Sequence, residues 1–166
     1  ALPRAVILLI FTIILRYISI TSHKDAQRIA DLTYRKETDL GTHVYNKNKY
    51  EEMIADYYLG VDRLAAIFWD VNNLKYVNDQ YGHAAGDVLI QTLSSVLYEL
   101  STDRRKVYRV GGDEFVMLIE NPVETEMPVS SAVGWAEGCG VDVRKIINEA
   151  DTKMYENKTR GKECRK

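Results

Sequence analysis

Leu64–Val71 (LAAIFWDV) is a continuous apolar run that closes on a carboxylate, Asp70, and one further valine. Such a run reads as a buried strand. A buried strand needs a sheet around it and helices or a second sheet over it. The flanking sequence supplies both. Asn46–Leu59 and Gly86–Leu100 read as helices, Asn72–Tyr81 as a loop and short helix, and Asp142–Lys158 as a C-terminal helix. Lys106–Val110, Glu114–Ile119 and Val129–Ala136 read as strands. Gly111-Gly112 lies between two of them, and a Gly-Gly pair there predicts a hairpin whose turn positions take positive φ. Strands and helices alternate and one hairpin is antiparallel. The expectation is an α/β (α+β) domain with a mixed central sheet and helices packed on it. With 166 residues, 46% of them hydrophobic, the chain has room for one such domain plus an appendage, not for a large multidomain enzyme.

The appendage is N-terminal. Ala5–Leu15 is wholly apolar, Arg16 interrupts, and Tyr17, Ile18 and Ile20 follow. A spanning helix needs roughly 20 apolar residues. The run fits a membrane helix shortened at its start, a signal-peptide core, or an apolar helix that pairs with a second copy. More basic residues lie on its C-terminal side (Arg16, His23, Lys24, Arg28) than on its N-terminal side (Arg4), which places the following domain in the cytoplasm. Thr21–Lys36 is a polar helix candidate with Ala26, Ile29, Ala30 and Leu32 on one face. It reads as a connector that pairs with itself in a dimer. The domains expected are therefore 1–37, apolar segment and connector, and 38–166, the α/β domain.

Charge and cysteines narrow the function. Lys+Arg 22 against Asp+Glu 24 leaves a net charge of -2, which excludes nucleic acid as a bulk partner. Cys139 and Cys164 are too few for a disulfide framework and lack metal-ligand spacing.

The acids carry more. Asp70 ends the first buried strand, and Asp113 and Glu114 stand at the Gly-Gly turn. Carboxylates at strand ends facing one groove suit a hard cation such as magnesium, which takes a few carboxylates and leaves positions for phosphate oxygens. The plain alternative is acids that cap surface turns. Asn78 and Asp87 flank Gly82-His83. An ionised Asp accepts and an Asn both donates and accepts, so the pair can read a guanine edge or simply cap helices. Lys158 and Lys162, with Gly161 between them, suit a triphosphate or form a solvated tail.

Arg109-Val110-Gly111-Gly112-Asp113-Glu114-Phe115 resembles the signature of GGDEF-domain diguanylate cyclases. The segment from Asp70 through Asn78 to Asp87 resembles that family's metal-aspartate and guanine-contact region, and Ala150–Lys158 with Gly161-Lys162 its C-terminal helix. Asp39–Lys47 resembles its opening segment loosely. The resemblance covers about Thr38–Lys162 and implies a palm-like nucleotidyl-cyclase fold. It implies that Asp70, Val71, Asp113 and Glu114 hold magnesium (manganese is a possible substitute), with Asp113 and Glu114 catalytic. The backbone around Asn73 and Leu74 would lie against phosphates, Asn78 and Asp87 would read guanine, and Lys158 and Lys162 would hold the outer phosphates. The implied reaction condenses two GTP into cyclic di-GMP with release of pyrophosphate, in a homodimer with one half-site per subunit. The alternative is a non-catalytic GGDEF module that binds GTP and regulates a partner. Localisation would be a cytoplasmic domain tethered to the membrane by the N-terminal segment.

The sequence also departs from the family. Gly41 and His43 stand where Leu and Gly are usual, Lys162 where Arg is usual, and Ala132 where Ser is usual. Thr102 and Arg105 occupy the positions of the product-inhibition Arg-x-x-Asp, so that feedback site is expected to be absent. Only Glu120–Pro128 joins the signature hairpin to the next strand, where the family inserts a helix. Either the domain lacks that helix or residues are missing from the chain at that point. Its loss would leave one sheet face uncovered, at about 25 cal/mol per Å² of apolar surface.

Overall fold

A computed structural model describes residues 3–122 and 133–163; residues 5, 133, 135 and 160–163 are described in backbone only. The chain divides into two compact units, residues 1–36 and 37–166.

The first unit is a helix. The apolar run and the polar connector, expected as two segments, form one uninterrupted helix, α1 (Arg4–Glu37). The reason is local: after Pro3 no glycine or proline occurs before Gly41, so nothing stops helix propagation at Arg16. At 34 residues it is about 51 Å long. It is long and apolar enough to cross a membrane by length and composition, with mean hydropathy of 1.9 and no burial of that stretch within the chain.

The second unit is built on a four-stranded sheet of order β2-β3-β1-β4, with β1 Leu64–Asp70, β2 Arg105–Arg109, β3 Glu114–Glu120 and β4 Val133–Gly138. All three ladders are antiparallel. The one parallel pairing among the described residues is the isolated bridge Tyr45–Tyr108 at the β2 edge. The expected apolar run is a central strand. Side chains alternate faces along a strand, and both faces of β1 are buried. Leu64, Ala66 and Phe68 join Tyr108, Val116, Leu118 and Ala136 under α2 (Lys47–Ala55) and α5 (Val143–Glu163). Ala65, Ile67 and Trp69 join Val107, Phe115, Met117 and Ile119, packed with Leu74 of α3 (Leu74–Tyr81) and with Ile90 and Leu97 of α4 (His83–Glu99). On this face Phe115, Met117 and Ile119 are each less than 5% exposed. The short β3–β4 connection, with Ala132 and the start of the strand expected from Val129, lies outside the described residues.

Two boundaries differ from expectation for identifiable reasons. The helix over Asn46–Leu59 stops at Ala55, because Asp56 leaves helical geometry at φ -134°, and a 3-10 turn (Tyr57–Gly60) follows. Asn46 caps its start, its Oδ1 accepting from the Lys49 N–H at 2.9 Å. The helix expected from Gly86 begins earlier, at His83, directly after Gly82 breaks the chain at φ 85°.

At the core's centre the Tyr58 and Tyr108 hydroxyls lie 2.8 Å apart, both side chains fully buried. Tyr45 stacks on Tyr108 and Tyr50 meets it edge-on, with ring centroids 5.5 and 5.6 Å away. Burial pushes both Tyr58 and Tyr108 above the usual phenol range, so both stay protonated and each can donate.

Candidate active site

β1 and β3 are the two inner strands, and their register makes Asp70 and Glu114 direct partners at one end of the sheet. The ladder runs on past β1, with the Val71 N–H donating to the Asp113 carbonyl at 3.0 Å. Asp70, Val71, Asp113 and Glu114 are thus brought together at one place.

The signature turn is tied down from two sides. The Val110 N–H donates to the Glu114 carbonyl at 3.0 Å. Arg109 donates through Nη1 to Asp39 at 3.1 Å and through Nη2 to the Gly112 carbonyl at 2.7 Å. Asp39 also accepts from the Thr42 backbone and hydroxyl, at 3.0 and 2.7 Å. Burial pushes its carboxyl up, but the hydrogen bonds from Thr42 and Arg109 win and hold it below the usual carboxylate range.

The two glycines do not serve as expected. Neither Gly111 nor Gly112 adopts positive φ, because the loop between the strands is longer than the two-residue turn that demands it. Gly111 is needed for space instead: a Cβ there would lie 2.3 Å from Glu114 Oε2. His43, by contrast, takes φ 62° at a position where the family usually has glycine.

Over this end of the sheet lies α5. Ala150, Met154 and Lys158 are spaced four apart and share one helix face. Gly134 of β4 lets the helix sit low, since a Cβ there would lie 1.7 Å from the Ala150 carbonyl oxygen and 2.2 Å from the Met154 nitrogen. Two turns on, the Lys158 ammonium donates to Asp70 Oδ1. The Asp70 side chain is 11% exposed and that of Lys158 26%. The Glu114 carboxyl is raised above its ordinary value, first by burial, then by the negative charges of Asp113, Asp151 and Asp70, with Lys158 opposing.

Asn78 and Asp87 sit on either side of the α3–α4 break. Neither caps a helix: Asn78 is inside α3, and Asp87 is a full turn inside α4. The buried Asn78 Oδ1 has no hydrogen-bond partner among the described residues, and it presses on Gly86, where a Cβ would lie 2.0 Å away. Asp87, next to Gly86 in the chain, is exposed. Asn73 precedes α3 in left-handed geometry, φ 61°, and the Val77 N–H donates to its carbonyl at 3.0 Å. Lys162 belongs to α5, but its side chain lies outside the described residues.

The family model described as "Diguanylate cyclase, GGDEF domain" matches residues 36–133, more than half the chain. The chain belongs to the GGDEF family.

Diguanylate cyclase DgcZ of Escherichia coli is 27% identical over 171 residues, covering 87% of this chain and 58% of that protein. Diguanylate cyclase DgcS of Shewanella oneidensis is 24% identical over 149 residues, covering 78% and 50%. The chain thus spans about half the length of these curated relatives. The coiled coil and GGDEF domain of DgcB from Caulobacter crescentus, solved with c-di-GMP, superposes with a TM-score of 0.71. It covers 91% of this chain and 95% of that one at 18% identity, a likeness of fold.

Within this GGDEF domain, the residues missed by sequence reasoning are those that support the site. Asp151 acts on Glu114 through space; its spacing of seven from Lys158, two helical turns on one face, was the available signal. The Gly134 contact and the Asp39–Arg109 brace join residues far apart in sequence, so spacing could not reveal them.

The donor set suits magnesium. No three acidic, histidine or cysteine side chains among the described residues converge on one point. Magnesium does not ask for that: it takes one or two carboxylates and completes its shell with water and substrate phosphates. Asp70 opposite Glu114 gives two carboxylates, with Asp113 beside Glu114 in the chain.

Proposed function

We propose that this GGDEF domain is a diguanylate cyclase that condenses two GTP into cyclic di-GMP and releases two pyrophosphates. The pairing of Asp70 with Glu114 at the signature turn, with Lys158 reaching the same point, carries this reading.

Asn78 and Asp87 bind guanine. The Asn78 side-chain amide both donates and accepts, so it can pair with a guanine edge beside Asp87. Asp87 accepts from the ring N–H and exocyclic amine, whereas adenine presents an acceptor at its N1. The backbone from Val71 to Leu74 lies along the phosphates. Lys158 and Lys162 neutralise the outer phosphates, Lys162 as a point charge without the two-pronged grip of arginine.

Magnesium, or manganese, would be held by Asp70, Asp113, Glu114 and the Val71 carbonyl, and there it would activate the attacking hydroxyl and offset charge on the leaving pyrophosphate. One domain holds one GTP, so two copies face each other across a twofold axis. Each 3′-oxygen bonds to the other nucleotide's α-phosphorus as the bond to pyrophosphate breaks, and the hydroxyl proton leaves to water. Positioning by the dimer dominates such chemistry. We read α1 as the membrane attachment that also holds two copies together, with the domain on the cytoplasmic side. Thr102 and Arg105 close a short turn on their own backbones, at 2.8 and 3.1 Å, and we infer no product-feedback site there.

GTP and ATP binding measured on Asn78→Ala and Asp87→Ala test the substrate. A site built to hydrogen-bond a group rejects ligands lacking it by about 10⁴–10⁵. Both variants should lose GTP affinity and narrow the preference for GTP over ATP, Asp87→Ala more strongly. A GTP preference unchanged in both would overturn the guanine assignment.

A further inference from the structure

We propose that Lys158 makes Asp70 selective for a divalent metal that arrives with a triphosphate over the same metal alone. The proposal rests on the reading of Asp70 as a metal ligand. The Lys158 ammonium donates to Asp70 Oδ1, on a side chain only 11% exposed, so the carboxylate has little room for a second cation. Its partner across the ladder, Glu114, also feels the positive charge of Lys158. A divalent ion approaching these two carboxylates must displace the ammonium or sit beside it, and two cations side by side in a half-buried site repel strongly.

A triphosphate removes the conflict. Its anionic oxygens can take the three N–H donors of Lys158, which leaves Asp70 to the metal. The side chain moves while the helix stays, because Ala150 and Met154 are seated on Gly134 and fix the root of Lys158. A flexible four-carbon stem carrying a compact charge suits that exchange better than a planar guanidinium. Metal and nucleotide binding are then coupled, and the coupling is reciprocal: each tightens the other by the same factor.

Manganese binding to the full chain in detergent, followed by the loss of the free-ion paramagnetic signal, tests this without turnover. In the absence of nucleotide, Lys158→Met and Lys158→Gln should each bind Mn²⁺ at least about fivefold more tightly than wild type, the lower end of usual coupling between sites. A GTP analogue with a methylene bridge between the α and β phosphorus atoms should raise Mn²⁺ affinity less in these variants than in wild type. Variants that bind Mn²⁺ no more tightly than wild type overturn the proposal. Asp70→Asn separates this from the underlying reading. If Asp70→Asn loses Mn²⁺ while the Lys158 variants match wild type, only the role of Lys158 fails. If Asp70→Asn binds Mn²⁺ as wild type does, Asp70 is not a metal ligand and both fail.

Discussion

Asp70 and Glu114 face each other across the β1–β3 ladder, the last pair at the end where the signature turn begins. Neither carboxylate is placed by its own loop. Each is the end of a strand whose interior residues are buried, so the separation between them is set by the core. A site built on rigid strands keeps its geometry while substrate comes and goes.

Glu114 is expected to cost stability in return for function. Its carboxyl is raised by burial and by Asp113, Asp151 and Asp70, so ionising it is less favourable folded than unfolded. The cost is complete above the raised folded value and vanishes below the ordinary value of about 4.3. Glu114→Gln should therefore melt higher than wild type at neutral pH, with the difference closing in acid, and should make no cyclic di-GMP. Melting curves across pH beside a turnover assay check both. A Gln variant that turns over normally contradicts the assignment.

The brace behind the turn has the opposite sign. Asp39 is held below its usual range by Thr42 and Arg109. Its stabilisation is complete above the unfolded carboxylate value of about 3.9 and is lost as pH falls through the lower folded value. Asp39→Asn should lower the melting temperature at neutral pH by an amount that shrinks in strong acid. It should also slow turnover, because Arg109 loses the charge that aims it at the Gly112 carbonyl. Unchanged melting and turnover would show that the brace holds nothing.

The buried Tyr58–Tyr108 pair predicts a non-additive result. Tyr58→Phe strands the Tyr108 hydroxyl in the core, and an unsatisfied buried polar group costs about 1–3 kcal/mol. Tyr58→Phe with Tyr108→Phe removes both hydroxyls and should cost less than the sum of the two single changes. Denaturant titrations of the three variants measure this coupling, and strict additivity would contradict it.

Much of this was legible in the sequence because it rests on local pattern. The LAAIFWDV run became the inner strand β1, and the carboxylates at its end and at the Gly-Gly turn met at one site. The turn's geometry was not legible: Gly111 serves the Glu114 carboxylate by leaving space, a contact that only the folded hairpin creates. The same holds for Gly134 under α5 and for Asp39 with Arg109, where partners lie far apart in the chain. The continuity of α1 is not legible in the pattern, because the change from apolar to polar after Ile20 alters which solvent suits the helix, not whether it is helical. The cap reading of Asp87 fails for a comparable reason. Gly82, not Gly86, sets the start of α4.

The most direct test of the account is the rate of cyclic di-GMP formation from GTP and magnesium as a function of protein concentration, with products separated by chromatography. One cyclic di-GMP and two pyrophosphates are expected for every two GTP consumed. Specific activity should rise with concentration once α1 is removed and the domains must find each other, because α1 no longer raises their effective concentration. Folded protein that binds GTP but forms no cyclic di-GMP at any concentration would contradict it and leave a GTP-binding regulatory module.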